Sequence, residues 1–165
     1  MTEELQEKAR KIKLLITDCD GVLTDGGVYY GEQGEVLKKF NIKDGMGVER
    51  LRKLADVHTS IITGEVSPSV IKRAEKLQIT ELHLGIKDKL SVLIQIMVNR
   101  NLLKHEIAYI GDDVNDIEIM QNVGLTACPA DAISFTKNIA DYVCQSKGGE
   151  GCFREFAEFI IALKV

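Results

Sequence analysis

Short β-branched runs alternate along this chain with longer segments whose apolar residues recur every three to four positions. Lys11–Thr17, Val57–Thr63, Thr80–Leu84, Ile107–Gly111, Gly124–Cys128 and Tyr142–Cys144 predict strands. Between them, Asp44–Leu54 predicts a helix opened by an acidic N-cap, and Ser67–Leu77 a helix with Pro68 in its first turn. Asp88–Asn101 predicts a helix with apolar Leu90, Leu93, Ile94, Met97 and Val98; Asp113–Asn122, Asp131–Asn138 and Gly151–Leu163 predict three more. Strands alternating with helices of this length imply an α/β, Rossmann-like parallel sheet with helices on both faces. One segment breaks the rhythm: Val28–Tyr30 and Glu35–Phe40 flank Gly31-Glu32-Gln33-Gly34, predicting a small β-hairpin that projects from residues 24–41. The expected organisation is one domain over residues 1–165 with this appendage.

Size and charge narrow the function. At 165 residues the chain can bury a substantial core, and its apolar fraction of 45% with 28% charged residues is that of a globular protein. Its apolar runs are too short to span a bilayer, and the charged segment Met1 to Lys13 lacks the apolar stretch of a secretory signal; the expectation is a cytoplasmic protein with no membrane partner. A formal net charge of -4 offers no general attraction to nucleic acid, so a phosphate-bearing ligand must be held by local positive charge, a metal ion or backbone N–H groups. Cys19, Cys128, Cys144 and Cys152 show no metal-ligand spacing and are expected as reduced, buried thiols.

Ligands of an open parallel sheet bind at the carboxyl ends of its strands. There this chain places Asp18-Cys19-Asp20-Gly21, Thr63-Gly64 and Gly111-Asp112-Asp113-Val114-Asn115-Asp116, with Lys89 opening the helix after the third strand. Carboxylates gathered so closely repel one another unless a cation lies between them; a hard divalent ion such as Mg²⁺, completed by water and phosphate oxygens, suits that donor set. The assembly fits phosphoryl transfer, in which a carboxylate attacks phosphorus and a second carboxyl serves the leaving oxygen and then the attacking water. Taken singly, Asp20-Gly21 is an ordinary turn, Thr63 a loop cap, Lys89 a solvated helix residue, Asp113 an N-cap and Asp116 a first-turn charge. Taken jointly, they require four coincidences at the ends of four elements.

These segments, Ile16 to Thr24, Thr63-Gly64, Lys89 and Gly111-Asp112-Asp113-x-x-Asp116, resemble in order the four motifs of the haloacid dehalogenase (HAD) superfamily. The resemblance implies Asp18 as nucleophile, Asp20 as general acid/base, and Thr63 (with Gly64) and Lys89 as phosphoryl ligands. It implies that Mg²⁺ is held by Asp18, Asp112 and the Asp20 backbone carbonyl, with Asp113 and Asp116 in support. The intervals between motifs leave no room for a cap domain. Asp25-Gly26 with the hairpin, Phe40 to Gly47, and Gly148 to Glu155 further resemble the 3-deoxy-D-manno-octulosonate 8-phosphate (Kdo 8-phosphate) phosphatases. That likeness implies a homotetramer joined by its hairpins, a small-molecule sugar-acid phosphate as substrate, and Lys43, Asp44 and Arg73 as substrate contacts. Two departures stand out: Glu65 where that family usually has Arg, and Gly149-Glu150-Gly151 where it has Gly-Arg-Gly. Glu65 is a feature of relatives acting on nine-carbon nonulosonate 9-phosphates, which sets that substrate somewhat ahead of the eight-carbon one. A non-catalytic tetramerisation domain, like those fused to sialic-acid cytidylyltransferases, is the alternative; the standing Asp18, Asp20, Lys89 and Asp112 speak against it. A phosphorylation receiver is disfavoured because the acidic pair comes first and the dense acidic cluster late.

Overall fold

A computed structural model describes residues 2–165; Met1 lies outside the described residues. Six strands form one parallel sheet: β1 (Leu14–Thr17), β4 (His58–Ile62), β5 (Glu81–His83), β6 (Ile107–Ile110), β7 (Leu125–Cys128) and β8 (Tyr142–Val143), in the order β5-β4-β1-β6-β7-β8. β2 (Tyr29–Gly31) and β3 (Gly34–Leu37) form the separate antiparallel hairpin. Helices α1 (Glu3–Lys11), α2 (Ile42–Ala55), α3 (Pro68–Leu77), α4 (Lys89–Arg100), α5 (Ile117–Met120), α6 (Ser134–Ile139) and α7 (Cys152–Lys164) complete the fold.

β1 runs through the centre, its four residues all buried, pairing with β4 and β6 in register (Thr17 opposite Ile61 and Ile110). Successive β1 side chains feed opposite cores. Leu15 joins Ile61, Ala108 and Leu125 beneath α1, α2 and α7, where Phe153, Phe156 and Ile160 are fully buried. Leu14 and Ile16 join Ile62, Ile107 and Tyr109 beneath Val92, Leu93 and Ile96 of α4 and Ile119 and Met120 of α5. Each fully buried Leu, Ile or Phe among these contributes roughly 1.5–3 kcal/mol. All four cysteines are buried free thiols.

Four expectations need correction. The charged N-terminal run is a helix, capped by the Thr2 hydroxyl, acidic in its first turn and basic in its last, so β1 starts at Leu14 rather than Lys11. α2 begins at Ile42 with Asn41 as its N-cap, accepting from the Lys43 amide; Asp44 is not that cap. In α4 the buried stripe is Lys89, Val92, Leu93 and Ile96, whereas Ile94 and Val98 face solvent, because the lysine must point inward. The segment expected as a helix over 113–122 is a 3-10 turn (Val114–Asp116) followed by the single turn of α5.

Candidate active site

β1 and β6 end side by side, and the chain after each turns into the same crevice. Asp18, the residue after β1, is almost fully buried, its amide donating to the Ile110 carbonyl at 3.0 Å. Gly21 follows with φ +87°; a Cβ there would lie 2.0 Å from Asp112 Oδ2, so only glycine lets the loops carrying Asp18 and Asp112 close on each other. Asp18, Asp112 and Asp116 each bring a carboxylate oxygen within 4.8 Å of the others.

Lys89, at the start of α4, enters this cluster from below with its side chain 2% exposed. Its Nζ donates to Asp18 Oδ1 at 2.9 Å, Asp116 Oδ1 at 2.6 Å and Tyr109 Oη at 3.1 Å. The Tyr109 hydroxyl donates in turn to Asp116 Oδ1 at 2.6 Å, and the amides of Asp112 and Asp113 donate to Asp116 Oδ2 at 2.9 and 3.3 Å. Asp116 is therefore saturated with donors: it seats the lysine and the Asp112 loop, leaving Asp18 and Asp112 as the side chains with capacity for a cation. Burial, then Asp18, Asp116 and Asp113, push the Asp112 carboxyl up to about 8 despite Lys89. Burial and Asp116 push Asp18 up to about 6, again against Lys89. Burial pulls the Lys89 ammonium down, but Asp18 and Asp116 more than offset it and hold it above its ordinary value. Three crowded carboxylates and one lysine leave negative charge that a hard divalent cation neutralises, so the donor set fits Mg²⁺.

Above this floor lies a crevice of about 220 Å³ lined by Asp20, Thr63, Gly64, Glu65, Asp112 and Asn115, among others. Thr63 is buried at its base, accepting from the Glu65 amide at 3.4 Å. Asp20 Oδ1 accepts from Lys38 Nζ at 2.5 Å.

A family model for haloacid dehalogenase-like hydrolases matches residues 67–155. The 3-deoxy-D-manno-octulosonate 8-phosphate phosphatase KdsC of Yersinia pestis is 39% identical over 161 residues, covering 98% of this chain and 86% of that protein. A crystal structure of the phosphatase from the same organism superposes with TM-score 0.96 at 38% identity, covering 99% of this chain and 88% of the other. That of the Moraxella catarrhalis enzyme, in complex with magnesium, phosphate and Kdo, gives 0.94 at 33% identity, covering 99% of this chain and 94% of the other. The chain belongs to the haloacid dehalogenase-like hydrolases.

Within them it belongs to the Kdo 8-phosphate phosphatase family. Between β1 and β4 this family member carries only the hairpin and α2 among the described residues, and between β4 and Lys89 only α3 and β5. Its expected site residues divide into two groups. Asp18, Asp20, Thr63, Gly64, Glu65, Lys89, Asp112, Asp113 and Asp116 are gathered at or under the crevice, although Asp113 is exposed and turns its carboxylate onto the Val114 amide. Lys43, Asp44 and Arg73 are not. Asp44 is 1% exposed and accepts from the Arg154 amide at 2.9 Å, capping α7, whose own N-cap position is Gly151. Burial holds the Asp44 carboxyl up at about 6 against these donors. Arg73 lies over the Phe40 ring and donates to the Asn41 carbonyl at 2.8 Å. Lys43 lines a separate open hollow with Phe40, Ile42 and Glu150.

Lys38 and Tyr109 escaped the sequence reading. Neither lies in a motif; the signal available was a tyrosine in an otherwise aliphatic strand and a lysine just after a hairpin strand. A larger hollow of about 360 Å³, lined by Lys13, Asp56, His58, Arg100 and Lys164, lies at the amino ends of β1 and β4. Size does not decide between the two, because a parallel sheet binds ligands at its carboxyl edge. Among the described residues no helix is long and apolar enough to cross a membrane.

Proposed function

We propose that this chain is a Mg²⁺-dependent phosphatase that hydrolyses the phosphate monoester of a 2-keto-3-deoxy sugar acid through an aspartyl-phosphate. The observation that carries the reading is Asp18, buried on Lys89 and within reach of Asp112, beneath a crevice rimmed by Asp20 and Thr63. In this reading Asp18 attacks phosphorus while Asp20 supplies a proton to the leaving sugar oxygen; Asp20 then takes a proton from the water that releases phosphate from Asp18. Thr63 and Lys89 bind the transferring phosphoryl oxygens. Asp18, Asp112 and the Asp20 backbone carbonyl hold Mg²⁺, which supplies charge neutralisation for the phosphoryl group when bound. Asp116 and Asp113 shape the loop that carries Asp112.

Kdo 8-phosphate is the ester that the relatives' activities support. One observation favours a second reading: Glu65 lines the crevice, where a carboxylate repels a sugar acid's own carboxylate and suits hydroxyls, as on a nine-carbon nonulosonate 9-phosphate. The chain is read as one catalytic unit whose hairpins, with Tyr29, Tyr30, Val36 and Leu37 exposed, join copies into a homotetramer. The test is phosphate release from the two sugar-acid phosphates with Mg²⁺, in the parent and in Asp18→Asn. Release from neither ester overturns the reading, and a preference of tenfold or more for one ester selects its carbon count.

A further inference from the structure

The hairpin delivers a lysine into the crevice wall. Lys38 and Lys39 follow β3, and their side chains diverge. Lys39 is 60% exposed and pairs with Asp25 at 2.6 Å, whereas the Lys38 side chain is fully buried, 2.5 Å from Asp20 Oδ1 and 3.5 Å from Glu35 Oε2. Glu35 is itself anchored: its other oxygen accepts from the hydroxyl of Ser67. Ser67 occupies the N-cap position of α3 but makes no side-chain cap bond there, so its hydroxyl serves the hairpin instead of its own helix. A continuous line of charged and polar groups, Asp20–Lys38–Glu35–Ser67, thus ties the loop after β1 to the loop after β4 through the hairpin. At its inner end Asp20 Oδ2 is buried with no hydrogen-bond partner among the described residues. A buried carboxylate oxygen left without a donor is costly unless a ligand supplies one.

We propose that Lys38 is a positioning residue for Asp20. By occupying Oδ1 it fixes the carboxyl orientation, leaving Oδ2 as the oxygen that exchanges the proton. The inference rests on the phosphatase reading. In the first half-reaction an oxygen of Asp18 bonds to phosphorus, the bond from phosphorus to the ester oxygen breaks, and the proton on Asp20 Oδ2 passes to that oxygen. In the second, water oxygen bonds to phosphorus, its proton passes to Oδ2, and the Asp18–phosphorus bond breaks to give inorganic phosphate. Ester and water are consumed; alcohol and phosphate are formed.

The test compares kcat/KM for a sugar-acid phosphate, whose alkoxide leaving group needs a proton, with that for p-nitrophenyl phosphate, whose phenolate leaves without one. Because kcat/KM reports events up to the first irreversible step, the comparison isolates the half-reaction in which Asp20 donates. The ratio is independent of the fraction of a variant that folds. Asp20→Asn should depress the alkyl-to-aryl ratio; Lys38→Met should depress it about tenfold, a part of the 10²–10⁴-fold range of general acid catalysis. Lys38→Arg should keep it within threefold of the parent, and Asp20→Asn with Lys38→Met should fall no further than Asp20→Asn alone. Equal losses on both esters in Lys38→Met, a Lys38→Arg ratio as low as that of Asp20→Asn, or additive losses in the double variant overturn the inference. If the parent hydrolyses neither ester, the phosphatase reading falls and this inference with it; if it hydrolyses both and Lys38→Met keeps the parental ratio, this inference alone falls.

Discussion

Two regions each bury a lysine against a crevice carboxylate, and they do it differently. At the carboxyl edge of the central sheet, Lys89 is held by Asp18, Asp116 and Tyr109, all on or beside strands packed in the main core. In the hairpin, Lys38 reaches Asp20 from a two-stranded ribbon with no core of its own, whose Tyr30 is 75% exposed. A two-stranded ribbon is marginal alone and is steadied by what it touches. The first lysine is therefore part of the fold as well as of the site. The second is held by a polar line that runs through Glu35 to Ser67. Chemistry set in the core is insensitive to the surface, whereas chemistry set through an appendage can be altered without disturbing the core.

The largest effect expected is at Asp18, the proposed nucleophile. Asp18→Asn should lower phosphate release by at least about a thousandfold while leaving the fold intact by circular dichroism. Chelation of Mg²⁺ should match that loss in the parent and reverse on adding the metal back.

Next, the two lysines should separate in stability. Lys89→Met leaves buried carboxylates without their cation and should cost about 3 kcal/mol or more in denaturant unfolding, with activity lost as well. Lys38→Met, whose partner Asp20 is a quarter exposed, should cost less than about 2 kcal/mol. Equal destabilisation would erase the contrast.

Proton linkage gives a smaller effect led by the central site, to which buried Asp44, held up at about 6, adds in the same direction. Asp112 and Asp18 are raised in the folded, metal-free chain to about 8 and about 6, from the ordinary 3.8. Between 3.8 and those values the folded state binds more protons than the unfolded one, so stability falls as pH rises through that window. In chelator, Tm should be lower at pH 8 than at pH 6. Mg²⁺, which displaces those protons, should raise Tm more at the higher pH.

The smallest effect is expected at Asp44, away from the crevice. Asp44→Ala should cost about 1–2 kcal/mol through the lost cap of α7, and Asp44→Asn less than that, since an amide oxygen also caps. KM should change less than threefold in either; a rise of tenfold in both would return Asp44 to the substrate contacts.

Much of the central region was legible because its signals are local. Asp18, Thr63 and Asp112 each follow a β-branched strand, and a parallel sheet brings such positions to one edge whatever the details of packing. The N-terminal helix was missed because its charged surface hides an inner stripe of only Leu5, Ala9 and Ile12. The inward face of α4 was misjudged because apolar periodicity alone does not favour a stripe that includes a lysine. Lys43, Asp44 and Arg73 were expected at the crevice from family likeness, with no positional argument from strand ends to constrain them.

The alternation of strands with helices, the two-sided burial of the sheet and the gathering of carboxylates at its carboxyl edge follow from the pattern of residues, because alternation and strand ends are properties of neighbouring positions. Which carboxylate receives which lysine, and that Asp44 caps a helix starting 108 positions later, were decided only by the tertiary structure. Those pairings join segments far apart in sequence, and a charge taken from water accepts whichever partner the packed backbone brings within reach.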